Sequence, residues 1–208
     1  MTARASDSER LQEILSEFYA GRTRRDQTRS ALADVVLDRM RCERVSLWKF
    51  EGEGDDLRLL CFASKRSGGA LDTSERRLLR SEYGTYFNAL IEKGTYVSDD
   101  AMHDPALQPM RDSYLVPNNV LSMLDAAFLL NGRAYGTVCC EETTAPRHWR
   151  SGDVAAIRAI VTKLAVVMSG APESILWVTP SVPLHQMPLG AAAPDPKPTP
   201  RPPEERRG

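Results

Sequence analysis

The chain has 208 residues, 42% hydrophobic and 26% charged, which suits one domain with a packed core and a tail. Its 27 basic and 28 acidic residues nearly cancel, a balance that argues against a nonspecific nucleic-acid binder and against a polybasic membrane anchor. No apolar stretch approaches the ~20 residues that cross a bilayer, and the opening Thr2-Ala3-Arg4 lacks the apolar core of a secretory signal, so no membrane association and a cytoplasmic location are expected.

The first helix is written plainly. Ser6 and Glu9 make a capping box, and Leu11, Ile14, Leu15, Phe18 and Tyr19 then form one apolar face before Gly21. A second helix is predicted from about Gln27 to Arg41, with Leu32, Val35, Val36 and Met40 on one side. Val45–Phe50 and Leu57–Ser64 read as a hairpin around the acidic, glycine-bearing turn Glu51–Asp56. After Gly68-Gly69, Asp72 and Glu75 suggest the capping box of a polar helix, which Gly84 interrupts. Tyr86, Phe87, Leu90 and Ile91 supply the apolar face of the next segment, which Gly94 closes.

Tyr96-Val97 reads as a short strand, and Asp104-Pro105 opens a helical or loop segment through Tyr114 that Pro117-Asn118-Asn119 stops. Ser122–Leu130 and Arg133–Glu141 are strands joined at Asn131-Gly132, a strong two-residue hairpin signal. Ser151 is the expected cap of a last helix striped by Ile157, Ile160, Val161, Leu164 and Met168. This order implies an α+β fold: a central antiparallel sheet with the terminal helices on one face and the middle segments on the other.

Residues 171–208 differ from the rest, holding 10 of the 14 prolines. Such a run neither continues a helix nor pairs into a sheet, so it is expected to be disordered with local polyproline character. One apolar island interrupts it, Ile175-Leu176-Trp177-Val178, which either docks on the domain or a partner or merely ends the fold. The domain plan is therefore an amphipathic helix in 1–26, a folded α+β domain in 27–170 and a proline-rich tail in 171–208.

From Arg44 to Met168 the chain resembles a GAF domain, the small-molecule sensory module of bacterial signalling proteins. The likeness is to those placed ahead of histidine kinases and diguanylate cyclases. The residues that carry it are Tyr86-Phe87-Asn88-Ala89-Leu90, Val97-Ser98-Asp99-Asp100-Ala101, Asp104-Pro105, Tyr114-Leu115 and Ser122-Met123-Leu124-Asp125-Ala126, followed by Gly132, Gly136, Cys139, Glu141 and Trp149. The resemblance implies a ligand held between the sheet and the middle segments. It makes Trp48, Tyr86, Tyr96, Asp100, Tyr114, Ser122, Met123 and Cys140 the candidate pocket residues; the aromatics among them serve equally as core. The ligand itself, and any cofactor, is unknown from sequence.

The chain departs from the resemblance in two ways. Cys139-Cys140-Glu141-Glu142 stands where similar proteins read Cys-His-Glu-His. No kinase phosphoacceptor segment, cyclase motif or helix-turn-helix is recognised after the domain, so a nearly standalone module is expected.

Cys42, Cys61, Cys139 and Cys140 have no CxxC spacing and read as buried free thiols rather than a disulfide scaffold. Adjacent strand residues point to opposite faces, so Cys139 and Cys140 are not expected to share a metal or a pocket. Some GAF-like proteins reduce free methionine sulfoxide with paired cysteines, but Glu141 and Glu142 oppose a thiolate here. The Cys-His pair through which phytochrome-like GAF domains attach a bilin is missing, so no covalent chromophore is expected.

Asp99, Asp100, His103 and Asp104 could hold a polar ligand or a cation, but capping of local turns explains them more simply, and no metal site is expected. His148-Trp149 reads as the anchor of the last strand-to-helix turn. The leading expectation is a ligand-binding signalling module, not an enzyme, that forms a homodimer through its terminal helices and passes its state to a signalling partner. The alternative is a ligand-free adaptor acting through the tail, with Trp177 and the proline run, and the helical dimer face.

Overall fold

The structure, a computed structural model, describes residues 6–130, 133–169 and 182–183. Its N-terminal half runs α1 (Asp7–Tyr19), α2 (Arg25–Met40), β1 (Arg44–Glu51), β2 (Arg58–Arg66), β3 (Leu71–Asp72), β4 (Arg76–Leu79) and α3 (Arg80–Lys93). The second half runs β5 (Thr95–Ser98), the single turn α4 (Val116–Asn118), β6 (Ser122–Leu130), β7 (Arg133–Glu142), α5 (Ser151–Ser169) and β8 (Val182–Pro183). The strands form one antiparallel sheet in the order β3-β2-β1-β7-β6-β5, with β4 also on β2 and β8 on β7.

Local chemistry sets the helix ends. Ser6 and Glu9 close the expected capping box, with the Ser6 N–H donating to the Glu9 carboxylate at 2.7 Å. Arg41, at φ 50°, ends α2 in the left-handed region. Gly94 does the same for α3 at φ 68°, a conformation that costs glycine nothing. Tyr83, beside Gly84, has non-helical angles and kinks α3 near its start.

Strand alternation divides the interior into two cores. Leu47, Phe62, Leu124, Phe128, Val138 and Cys140 face α1, α2 and α5. Trp48, Phe50, Leu59, Met123, Ala127 and Cys139 face α3 and the 99–121 segment. A bulge at Phe62 shifts the β1–β2 register, so Leu47 pairs with Ala63 but Trp48 pairs with Cys61. Each core buries several large side chains, each worth roughly 1.5–3 kcal/mol of transfer free energy. The architecture is the α+β arrangement expected, with the terminal helices and the middle segments on opposite faces.

Three local expectations are corrected. Asp72 and Glu75 do not cap a helix: Leu71–Asp72 and Arg76–Leu79 are strands that pair with the outer edge of β2. The Asp72 carboxylate instead accepts from the Ser74 N–H at 2.8 Å and pairs with Arg76, closing the link between them. Satisfying the open edge of β2 outweighs the weak helix signal. Ser151 is the first residue of α5 rather than its cap; the Arg150 carbonyl accepts the first helical bond, and the Asp153 carboxylate takes the Arg150 N–H at 2.9 Å.

In the tail, Val182–Pro183 pairs with Arg133–Ala134, so these two residues do join the sheet. Pro183 fits there because the end of an edge strand need not supply a ladder donor. The Asn131-Gly132 turn, the island at Ile175–Val178 and the rest of the tail lie outside the described residues.

Gly136 sits where β7 crosses β1. A Cβ there would meet the Trp48 carbonyl oxygen at 2.1 Å and the Phe128 ring at 2.7 Å. Gly136→Ala must therefore push two strands apart. It is expected to lower stability by about 3 kcal/mol, the upper end of the usual overpacking cost, measured as a shift in the urea midpoint at unchanged slope.

Candidate functional site

The sheet face under α3 carries a polar floor inside an apolar core. Ser46, Cys139, Asp125 and Tyr96 lie side by side across β1, β7, β6 and β5. In the next row Arg44, Glu141, Met123 and Ser98 do the same. The alternation of each strand places these residues inward while their sequence neighbours enter the helical core.

Two tyrosines cover the floor with their hydroxyls turned down onto it. Tyr86, on α3, donates to Asp125 Oδ2 at 2.7 Å, and Tyr114 donates to Glu141 Oε1 at 2.7 Å. Trp48 lies edge-on to Tyr114 with ring centroids 5.9 Å apart and donates its indole N–H to Ser46 at 2.7 Å. Tyr114 arrives on an irregular segment: a 3-10 turn at Gln108–Met110, a π-helical turn at Arg111–Leu115 and the turn α4. Apolar anchors hold that cover down, among them Leu107, Met110, Leu115 and Val120.

Glu141 is wholly buried and is neutralised by Arg44, whose Nε bonds to its Oε2. Arg44 also reaches the Asn118 side-chain oxygen at 3.1 Å, tying the sheet to α4. Burial disfavours the guanidinium charge, but the adjacent Glu141 carboxylate outweighs it and raises the arginine's pKa. Arg44 Nη2 finds no partner among the described residues.

Asp125 has no such cation. It is 0% exposed, and its Oδ1 has no partner of ordinary geometry among the described residues. Burial drives its pKa from the ordinary 3.8 up to about 8; the Tyr86 hydrogen bond opposes the rise, nearby Glu141 adds to it, and the Cys139 thiol pulls it back. Burial likewise pushes the Tyr86, Tyr96 and Tyr114 phenols up, so all three are neutral donors.

Of the eight candidate pocket residues, Trp48, Tyr86, Tyr96, Tyr114 and Met123 come together on this face, each buried. The other three lie elsewhere. Ser122 accepts from the Arg147 N–H at 2.9 Å, Cys140 belongs to the helical core, and Asp100 is exposed beside His103. The acidic cluster likewise divides. Asp104 accepts from the Tyr96 hydroxyl at 2.8 Å and caps its own turn through the Ala106 N–H. Asp99 takes the Trp149 N–H at 2.9 Å and pairs with His148, anchoring the entry to α5. No grouping that could hold a metal ion occurs among the described residues.

The four cysteines are free and buried. Cys139 and Cys140 enter opposite cores, as their adjacency on a strand requires. Burial pushes Cys61 up to about 12 and Cys139 well above its ordinary value; for Cys140 a hydrogen bond with Cys42 and burial act the same way. This is the reverse of what thiolate chemistry needs.

Sequence reasoning missed Arg44, Ser46 and Asn118 and gave Asp125 and Glu141 no site role. The available signal was alternation: a charged residue inside the apolar run Ser122–Leu130, and Glu141 two residues after Cys139 on the same face.

A polar floor buried between an antiparallel sheet and an irregular cover, backed by a separate helical layer, defines a sensory-type α+β domain. The chain matches the GAF domain family over residues 24–168 and belongs to it, a family of sensory and signalling modules that bind small molecules. No curated protein matches its sequence.

Solved structures share the fold at low identity. The phycocyanobilin-bound GAF domain of a cyanobacterial phytochrome is 14% identical, with a TM-score of 0.62 over 81% of this chain and 97% of that one. The phycoerythrobilin-bound GAF domain of a cyanobacterial phytochrome gives 14%, 0.62, 80% and 96%. The blue-light-absorbing PixJ GAF domain of Thermosynechococcus elongatus gives 14%, 0.57, 81% and 90%.

Two outcomes are expected from substitution at the floor. Arg44→Met strands the Glu141 carboxylate and should cost about 3–5 kcal/mol in urea unfolding, while Arg44→Met with Glu141→Leu should recover most of that loss. For Asp125 the native pKa is raised, so its neutral form stabilises the fold at low pH. That contribution declines as pH rises from the unfolded value of 3.8 through about 8. Asp125→Asn should remove this decline, seen as a flatter dependence of the urea midpoint on pH.

Proposed function

We propose that the chain is a cytoplasmic sensory module of the bacterial signalling type, responding to a small molecule at the face between the sheet and the 99–121 cover. One observation carries this reading: two tyrosine hydroxyls seated on two fully buried carboxylates, beneath a segment that is neither regular helix nor strand. π-Helical turns recur at functional sites, where irregular backbone leaves room for rearrangement. A ligand that displaces either tyrosine must supply a hydrogen-bond donor to the floor, or the carboxylate below is left unsatisfied. The lack of any helix long and apolar enough to cross a membrane, among the described residues, is compatible with the location.

The state of the site passes to a second copy of the chain through α1 and α5. Between them runs a groove floored by Leu11, Ala156, Ala159 and Ile160, with Asp7 and Lys163 at its rim. Lys163 makes no ion pair among the described residues, and Asp7 remains partly exposed beside Arg39. A two-fold contact brings such an acid and base opposite each other, which suits an isologous dimer. From the dimer the signal goes to a downstream signalling protein.

The readout is a native mass spectrum of gently purified full-length protein at micromolar concentration. A dimer with added mass is expected, and Tyr114→Ala should lose the added mass while keeping the dimer. A monomer would overturn the dimer. A dimer with no added mass, unchanged after dialysis against cell extract, would favour the adaptor reading. Deletion of 171–208 then tests whether the tail captures a partner.

A further inference from the structure

Asp125 is the one buried acid of the polar floor to which no cation is committed. From β7, Glu141 faces it as a second acid and Cys139 as a neutral thiol. From α3 comes the Tyr86 hydroxyl, and from β5 the Tyr96 ring, whose own hydroxyl is turned to Asp104. From the cover comes Tyr114, already donating to Glu141, and from β1 comes Arg44, already bound to Glu141 and Asn118. The guanidinium of Arg44 is thus paired with Glu141, although its Nη2 has no partner among the described residues, and Asp125 receives only neutral donors. Tyr86, which bonds to it, and Met123, its same-face neighbour on β6, are 1% and 2% exposed. A proton is the ligand that needs no further space there.

We propose that this face also binds and releases a proton at the Asp125 carboxyl, with Tyr86 and α3 as the elements that respond. The proposal rests on the sensory reading above and adds the proton as a second input at the same face. In the low-pH state the carboxyl is neutral, and Tyr86 donates to Oδ2. On release the proton passes to solvent buffer, leaving a second carboxylate beside Glu141 in a site with one guanidinium. Burial makes that charge costly, so the carboxylate must either draw in water or move toward Arg44. Tyr86, whose hydrogen bond favours the charged form, then follows the carboxylate or shares it with the water, and α3 shifts with it. The raised pKa noted above places this change within the range a cell can visit.

The primary test needs no variant. In the full-length protein with 13C-labelled aspartate, the Asp125 side-chain carboxyl carbon is followed from about pH 5 to about 9.5, a range that spans both the ordinary carboxyl value and the raised one. A single-proton step with its midpoint near 8 is expected. A change in the protection of the Phe87–Ile91 amides, after the intrinsic base-catalysed rise of exchange with pH is divided out, should accompany it. Asp125→Asn should abolish that change in protection.

A carbon already in its carboxylate position at the start, or unchanged across the range, would overturn the proposal. So would the same change in protection in Asp125→Asn. Failure of that variant to fold leaves the carbon titration to decide. An added mass in the native spectrum together with a flat Asp125 titration would overturn the proton and leave the sensory reading standing. A clear step without added mass would support the proton alone.

Discussion

The buried contact between Arg44 and Glu141 is the constraint on which the interior depends. It joins the first strand of the sheet to the seventh, and through Tyr114 and Asn118 it joins both to the irregular cover. Without the guanidinium, Glu141 would be an uncompensated charge under an apolar roof. Without the carboxylate, Arg44 would be one. Neither can be removed singly without leaving the other stranded, whereas replacing both with apolar groups need not be costly. The pair therefore fixes which parts of the chain meet, whatever its net contribution to stability.

The same pair explains why the two sites on the floor behave differently. Glu141 and Asp125 are both buried carboxylates beneath tyrosine hydroxyls. One has a cation within bonding distance and the other does not. Two residues of strand register separate a charge that is held from one that the fold resists. The asymmetry comes from β1 supplying Arg44 in the outer row and Ser46 in the inner one.

Much of this was legible before the structure. The capping box at Ser6 and Glu9, the apolar stripes of α1, α2 and α5, and the strand pairs on either side of Glu51–Asp56 and Asn131-Gly132 each follow from local spacing. So does the opposition of Cys139 and Cys140. Local spacing fails where a long-range partner decides. Asp72 and Glu75 have a helix signature, but the bare edge of β2 recruits their flanks as strands. The site shows the same limit. Trp48, Tyr86, Tyr96, Tyr114 and Met123, which the resemblance singled out, lie together on one face. Ser122 and Cys140 fall on the other face because the parity of a strand, not the residue type, decides direction. Arg44 and Glu141 are 97 residues apart, and nothing local says that they meet.

One short strand of the sheet also has a mechanical consequence. β5 has four residues; Tyr96 belongs to the polar floor, and Asp99, one residue beyond the strand, is bolted to the backbone of Trp149 at the mouth of α5. A strand is stiff along its length and spans roughly 3.3 Å per residue, so about 10 Å of taut backbone separates the two points. A displacement of Tyr96 along the strand therefore pulls on the root of α5. β5 is thus a short tie between the interior of the domain and the helix on its far side.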